Sequence, residues 1–111
     1  MKTIIKFKDF LKLDMRVGKI VKACVPEWSE KLLEFTVDFG EEIGEKKVLS
    51  GIRKWYQVDE LLGKKYVFIV NLEERKMGEA VSQGMMLMAC EGEKPQLVPV
   101  SDDIQVGTEM C

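Results

Sequence analysis

The stretch Met15-Arg16-Val17-Gly18-Lys19-Ile20-Val21-Lys22-Ala23-Cys24-Val25 decides the fold, because it is a long segment of strand character with one interruption. Its odd positions are apolar except for Lys19, and Gly18 lies beside that exception. A glycine next to a break in strand alternation indicates a β-bulge, at which a strand bends. Pro26 ends the segment, since proline cannot donate a hydrogen bond to a sheet. We therefore expect a long first strand that bends near Gly18.

Further strands are predicted after it, with a small helix between the third and the fourth. Leu33–Phe39 alternates apolar and polar residues, which is typical of a half-buried strand. Tyr66–Val70 is an unbroken apolar run, which predicts a strand buried on both faces. Asp9 is placed to cap a short N-terminal helix, with Phe7 packing on it from outside. The remaining predicted elements are strands over Lys46–Ile52 and Met85–Cys90, helical turns at Trp55–Tyr56 and Val58–Leu62 closed by Gly63, and an accessory strand over Gln96–Val100.

This order of elements predicts an OB-fold: an all-β, five-stranded barrel with a bent first strand, short helices and a C-terminal extension. The chain has 111 residues, so residues 1–111 are expected to form a single domain. Its 46% apolar and 32% charged content is typical of globular proteins. No apolar run approaches the roughly 20 residues that are needed to cross a bilayer. A lysine interrupts the only apolar patch at the N-terminus, which argues against a signal peptide. We expect a cytoplasmic protein that does not contact membranes.

The chain lacks the residues of most common catalytic and metal sites. It has no histidine, which excludes Ser-His-Asp and Cys-His catalysis and every metal site that contains histidine. Its three cysteines are widely spaced and form no CxxC motif; Cys24 and Cys90 are expected to be buried thiols and Cys111 exposed. The glycine-rich phosphate loops of nucleotide-binding enzymes are absent as well. We therefore expect no metal, no cofactor and no enzymatic activity.

The charge of the chain is unevenly distributed. The net charge is −2, which taken alone argues mildly against a nucleic-acid ligand. The tail after Cys90 holds five acidic residues and one basic residue, so the first 90 residues carry 16 basic against 14 acidic residues. Any phosphate binding must therefore come from local clusters of basic side chains.

Three polar or basic clusters fall on predicted loops, and the first and third flank the face of strands two and three, where OB-folds bind nucleic acids. They are Glu30-Lys31, Ser50–Tyr56, and Asn71–Gly78 followed by Ser82–Met85. Each cluster also has a purely structural interpretation. Glu73 and Glu74 would neutralise the adjacent basic residues, and the serines would form hydrogen bonds to the backbone of turns. Trp55, Tyr56 and the methionines would pack in the core.

Together these segments resemble the tRNA-binding domain family. Its members include the C-terminal domain and the separate beta subunit of methionyl-tRNA synthetase, and free-standing structure-specific tRNA-binding proteins. The resemblance covers nearly the whole chain, so we expect the domain alone, with no synthetase attached. The matching segments are Asp9-Phe10, Asp14–Ile20, Glu30–Leu33, Val37–Gly40, Ser50–Ile52, Glu60–Lys64, Asn71-Leu72, Arg75-Lys76, Gly78, Ser82–Met85 and Val106-Gly107.

The resemblance implies a non-catalytic OB-fold that binds tRNA by shape, acting in trans in translation as a homodimer, with an aminoacyl-tRNA synthetase as a further partner. Basic side chains would contact phosphates, which give affinity and position but no base code. Asn71 and Ser82 would donate or accept hydrogen bonds at sugars or base edges, and Met85 would lie against a ribose or base. The implied tRNA contacts are Lys31, Ser50, Arg53, Lys54, Asn71, Arg75, Lys76, Ser82 and Met85.

Two features depart from the family pattern, and one alternative function stays open. The acidic Glu41–Glu45 insertion would repel phosphate if it lay near the groove, and Trp28 is either an extra stacking surface or a dimer contact. Ile4-Ile5 and Leu97–Val100 are the predicted dimer contacts. The alternative function is a peptide-binding secretion chaperone on the same barrel, whose members are expected to lack the Ser-x-Gly-Met signature seen at Ser82–Met85.

Overall fold

The structure is a computed structural model that describes all residues from 1 to 111. Strands dominate it, and the two α-helices are one turn each. The elements in chain order are α1 (Phe7–Phe10), β1 (Met15–Cys24), β2 (Leu33–Asp38), β3 (Glu45–Ser50), α2 (Val58–Leu61), β4 (Lys65–Ile69), β5 (Arg75–Met77), β6 (Ala80–Ser82), β7 (Met85–Met86), β8 (Met88–Cys90) and β9 (Pro95–Leu97).

The five principal strands form one antiparallel sheet in the order β3-β2-β1-β4-β7. Strand β1 pairs along both of its edges: Met15–Lys19 pairs with β4, and Lys19–Cys24 pairs with β2. The outer edges then meet: the Gln83 amide donates to the Lys47 carbonyl at 2.7 Å, and the Lys47 amide donates to Gln83 Oε1 at 2.9 Å. The sheet is therefore a nearly closed five-stranded barrel, which confirms the predicted all-β OB-fold.

The bend of β1 lies at Val21 and not at Gly18, so the predicted position of the bulge was wrong. The pairing with β2 shifts register between Ile20 and Lys22. Ile20 on one side of the shift and Ala23 on the other both pack into the core. An extra residue in the strand allows this, because side chains otherwise alternate between the two faces.

Gly18 is required for packing. A β-carbon at this position would lie 2.5 Å from Cγ1 of Val37 and 2.6 Å from Cε1 of Phe39. Phe39 in turn packs edge-on against Phe68, with ring centroids 5.4 Å apart. The absent side chain at Gly18 leaves room for these large side chains inside the barrel.

The core is formed by β1 to β4, α2 and β7. Tyr56 and Leu61 are buried in it, and the Tyr56 hydroxyl donates to the Pro95 carbonyl at 2.7 Å. Gly63, at φ +82°, ends α2 in the left-handed conformation expected of it. The fully buried large side chains are Tyr66, Phe35, Phe39, Phe68, Ile20, Leu33, Ile52, Leu61, Val17, Val37 and Val48.

The C-terminal segment pairs with the edge of β1 that β2 leaves free, with an antiparallel bridge between Arg16 and Glu109. The Val17 amide donates to the Thr108 carbonyl at 2.9 Å, and the Gly107 amide donates to the Val17 carbonyl at 2.7 Å. Arg16 ties the same segment down, with Nη1 donating to the Gly107 carbonyl at 3.1 Å and ion pairs to acidic residues on three segments. Those residues are Asp14, Glu42 and Glu109. The C-terminal extension is thus part of the folded domain.

Several local predictions were wrong. Helix α1 begins at Phe7, so Phe7 lies inside the helix and Asp9 accepts a hydrogen bond from the Lys6 amide at 3.1 Å. The segment Met85–Cys90 divides into β7 and β8, because β8 pairs with β9 outside the barrel.

The burial of the sulphur-containing residues was also misjudged. All three cysteines are exposed. Among the methionines only Met86 is fully buried, so most do not fill the core. No helix in the chain has both the length and the apolarity needed to pass through a bilayer.

Candidate nucleic-acid interface

Two loops meet beside one end of β2 and β3. The first follows β1 and spans residues 25–32, and the second is the β5–β6 hairpin with its flanking residues, 70–84. They touch where the six-membered ring of Trp28 packs against Gly78, which turns the hairpin at φ +66°. A β-carbon at Gly78 would collide with Cζ3 of the indole. Glycine therefore permits both the turn and the contact between the loops.

Three adjoining cavities lie along these loops, and we call them together the cation groove. The central cavity, of about 360 Å³, is lined by Trp28, Ser29, Lys31, Leu32, Arg75, Lys76, Met77 and Gly78. On one side it shares Lys31 and Leu32 with a cavity of about 560 Å³, whose other lining residues are Glu30, Gly51, Lys54 and Trp55. On the other side it shares Arg75 and Met77 with a cavity of about 160 Å³, completed by Leu49, Leu72, Glu73, Ser82, Gly84 and Met85.

The basic side chains of the groove are exposed and unpaired. No carboxylate oxygen lies within 4.0 Å of any of them, although the chain has five ion pairs elsewhere. Neither Glu73 nor Glu74 forms an ion pair with Arg75. Glu74 instead accepts a hydrogen bond from Gln83 Nε2 at 3.1 Å. The cations concerned are Lys31, Lys54, Arg75 and Lys76. Arg53 is also exposed and has no ion pair, but it lines none of the three cavities. The arrangement leaves their charge available to an anionic ligand.

Arg16 shows the opposite electrostatic environment. The hydrogen bond to Asp14 raises the pKa of its guanidinium above the ordinary value, burial opposes the shift, and Glu42 and Glu109 add to it. Its Nε lies 2.6 Å from Asp14 Oδ1. Arg16 is therefore a structural cation whose charge is already balanced.

No three Cys, Asp or Glu side chains of the chain form a group that could hold a metal ion.

Arg53 links the exit of β3 to the first loop. Its amide donates to the Lys31 carbonyl at 3.2 Å, and its guanidinium Nη1 donates to the Ser29 carbonyl. The Ser29 hydroxyl accepts hydrogen bonds from the amides of Lys31 and Leu32, each at 3.2 Å. These contacts hold Lys31 at the boundary between two cavities of the groove.

Three of the predicted tRNA contacts are buried or hydrogen-bonded within the chain. The Ser82 hydroxyl accepts from the Leu49 amide at 3.1 Å and donates to the Gly84 carbonyl at 3.0 Å, and Ser50 is buried. Asn71 lies outside the cavities: its Oδ1 accepts from the Asp14 amide at 2.8 Å and its Nδ2 donates to the Lys12 carbonyl at 2.7 Å. The other predicted polar contacts are the five exposed cations already described.

Met85 lies at the far end of the groove with 45% of its surface exposed. Leu72, also exposed, and the half-buried Met77 line the same cavity, so the basic side chains adjoin an apolar surface. Leu72 and Met77 were not among the predicted contacts. The only available signal for them was their position within the third loop cluster.

Trp55 and the acidic Glu41–Glu45 insertion lie in different parts of the fold. Trp55 packs against the core, and Lys54 Nζ lies 5.4 Å from its ring centroid. Glu42 in the acidic turn pairs with Arg16, and the turn joins the ends of β2 and β3 opposite to the groove. Six residues of β2 separate the two ends by about 17 Å at roughly 3.3 Å per residue. The acidic insertion therefore does not border the groove.

Comparison with known proteins agrees with this geometry. Residues 15–109 match the family described as "Putative tRNA binding domain". The chain belongs to the tRNA-binding domain family. This assignment confirms the resemblance inferred from the segments between Asp9 and Gly107.

This tRNA-binding domain is similar to part of methionine–tRNA ligases and, over nearly its whole length, to smaller proteins of known structure. The methionine–tRNA ligase of Thermococcus onnurineus is 39% identical over 106 residues, which cover 96% of this chain and 14% of the ligase. A MetRS-related protein from Pyrococcus horikoshii superimposes with a TM-score of 0.93 at 33% identity, covering 99% of this chain and all of that one. The CsaA chaperone of Picrophilus torridus superimposes with a TM-score of 0.88 at 28% identity, covering 97% and 100%.

Proposed function

We propose that this tRNA-binding domain binds tRNA in the cation groove, as a non-catalytic module that acts in trans in translation. The observation that supports the proposal is the convergence of four unpaired cations from three separate segments on one groove. Because the net charge of the chain is −2, these cations must provide local attraction that the whole molecule does not.

Binding through these side chains has a defined chemical character. Lys31, Lys54, Arg75 and Lys76 contact phosphates and set the orientation of the RNA without reading its sequence. The apolar surface at Met85 receives a ribose or a base. In this proposal Asn71, Ser50 and Ser82 shape the loops, since the hydroxyl of Ser82 and the amide of Asn71 are hydrogen-bonded within the chain.

The salt dependence of binding tests the proposal. Each phosphate contact releases about 0.7 to 0.9 counterions, so the four contacts give a log–log slope between about −3 and −4. The measurement is the dissociation constant of unfractionated tRNA, by filter binding, over a series of salt concentrations. A flat response would contradict binding through the groove.

The partners follow from the same proposal. A homodimer presents two grooves to the RNA, and a synthetase of the methionyl class is the second partner, because relatives carry this domain within methionine–tRNA ligases. Both partners are examined by crosslinking in a cell extract with sequencing of the bound RNA and identification of the bound protein, and the proposed cytoplasmic location is examined by fractionation of intact cells. Recovery of neither tRNA nor a synthetase would contradict this set of partners.

A peptide-binding chaperone function is the second candidate, since two CsaA chaperones superimpose with TM-scores of 0.88 and 0.85. The apolar residues at Met85 would then receive a side chain of an unfolded polypeptide. A gel shift with unfractionated tRNA, compared with capture of a chemically unfolded polypeptide, separates the candidates. The cation groove predicts tRNA binding, and capture of polypeptide without tRNA binding would favour the chaperone.

A further inference from the structure

We infer that Trp28 is a stacking platform for one unpaired nucleobase, so that the central cavity of the groove takes a single-stranded nucleotide of the RNA. The inference rests on the proposed function, and Trp28 is not among the tRNA contacts named for that function. Aromatic side chains bind bases in this way because every base has a π-face, which makes the contact tolerant of sequence.

The position of Trp28 supports a ligand-facing role. The side chain lies on a loop, retains 36% exposure, and lines the central cavity together with Lys31, Arg75 and Lys76. A cavity of about 360 Å³ falls at the lower end of the range of small-ligand sites, roughly 300 to 1,000 Å³. This volume suits one nucleotide.

The surroundings of the indole separate Trp28 from the other tryptophan. Lys54 lies over the ring of Trp55, and Trp55 also packs against the core. None of the three basic side chains around Trp28 lies over its ring, and the chain's two cation–π contacts involve Trp55 and Tyr56. The cations are thus placed beside the indole, where the phosphates of a nucleotide stacked on it would lie.

Gly78 holds the platform in place. The indole packs against Gly78 so closely that any side chain there would displace it. The contact joins the two loops and fixes the indole relative to Arg75 and Lys76 on the hairpin. A fixed aromatic ring loses little conformational entropy on binding, which favours its use as a platform.

Tryptophan fluorescence tests the inference in a Trp55→Phe background, in which Trp28 is the only tryptophan. The probes are a short oligouridylate and an oligomer of the same length whose sugars carry no bases, so both have the same charge. Stacking predicts that the oligouridylate quenches Trp28 emission and that the abasic oligomer does not. Equal quenching by both oligomers would overturn the inference.

Binding by variants supplies the second measurement. Trp28→Ala should weaken oligouridylate binding by roughly 5- to 150-fold, Trp28→Phe should restore most of it, and the salt slope should not change because no charge is lost. Gly78→Ala should weaken binding in the parent and have little further effect in Trp28→Ala. A Trp28→Ala variant with parental affinity for the oligomer would overturn the inference.

The failure of the inference and that of the proposed function give different results. If the parent binds tRNA with a steep salt dependence and Trp28→Ala binds equally well, only the stacking role is refuted. If the parent binds neither tRNA nor oligouridylate, the proposed function fails and the stacking role with it. Quenching by an unfolded polypeptide but by neither RNA would assign the cavity to peptide and also overturn the inference.

Discussion

At the scale of residues, the groove depends on which cations have acidic neighbours. Arg16 contacts three carboxylates, whereas Arg75 and Lys76 contact none. An exposed ion pair contributes roughly 0 to 1 kcal/mol to stability, so a cation without a partner can be removed at little cost to the fold. Substitutions in the groove should therefore affect binding and not stability.

The double variant Arg75→Ala/Lys76→Ala tests this separation. It should weaken the binding of every tRNA by a similar factor and reduce the salt slope by about 2, because phosphate contacts carry no sequence information. The measurement is filter binding with several purified tRNAs. Its matched control is Lys19→Ala/Lys46→Ala, which makes the same change in net charge near the opposite end of β2 and should retain binding. Loss for one tRNA alone would show that these residues read sequence.

Tyr66 determines part of the stability at alkaline pH. Burial raises the pKa of its hydroxyl above the ordinary 10.0, with contributions from Tyr56 and Glu60. Above pH 10.0 the unfolded chain loses this proton before the folded chain does, so stability falls as the pH rises. Tyr66→Phe should lose less free energy of unfolding between neutral and alkaline pH than the parent, as measured by urea denaturation. Parallel losses in both proteins would contradict the assignment.

At the scale of elements, β1 organises the barrel because it pairs with β4 along one half and with β2 along the other. The bulge at Val21 returns the inward side chains to the core after the register shift. The C-terminal segment pairs with the remaining free edge of β1 at Val17. Large side chains inside the barrel fill the space beside Gly18, so its lack of a side chain is a steric requirement.

Gly18→Ala should destabilise the barrel by about 1 to 3 kcal/mol, because the added methyl group would overlap Val37 and Phe39 in a close-packed interior. The free energy of unfolding in urea measures the effect. Gly51→Ala is the matched control: a β-carbon there has no atom within 4 Å, so its stability should stay close to that of the parent. Equal stability of the two variants would contradict the packing role of Gly18.

At the scale of the whole molecule, apolar surface remains exposed at both ends of the chain. Ile4 and Ile5 are exposed, and Val98 borders an entirely apolar cavity of about 220 Å³ formed with residues of β4 and β8. A small domain buries a limited fraction of its surface by itself, so association of two copies would add apolar burial. These two segments remain the predicted dimer contacts.

Light scattering should give a particle of twice 12.7 kDa. Ile4→Glu/Ile5→Glu should shift it towards 12.7 kDa, because charged side chains resist burial in an interface. Leu62→Glu, at an exposed apolar residue after α2, serves as the control and should not change the mass. A parent protein of 12.7 kDa would contradict the homodimer.

The sequence by itself predicted the principal strands of the barrel and the segments that carry the cations, but it placed the β5–β6 hairpin (Arg75–Met77 and Ala80–Ser82) on a loop. These depend on the alternation of neighbouring residues, on glycine and proline, and on segments such as Ser82–Met85 that match the family. Predictions within a single segment were less successful where another segment set the outcome. Met88, predicted to continue a strand of the barrel, pairs with Leu97 instead.

Only the tertiary structure decided the composition of the groove. Whether Arg75 pairs with Glu74 or stays free, and whether the Asn71 amide faces solvent or the Asp14 backbone, depends on side chains brought together from distant positions. The packing of Trp28 on Gly78 joins residues fifty positions apart. Such contacts are set by how the loops fold over the barrel, and local sequence patterns carry no information about them.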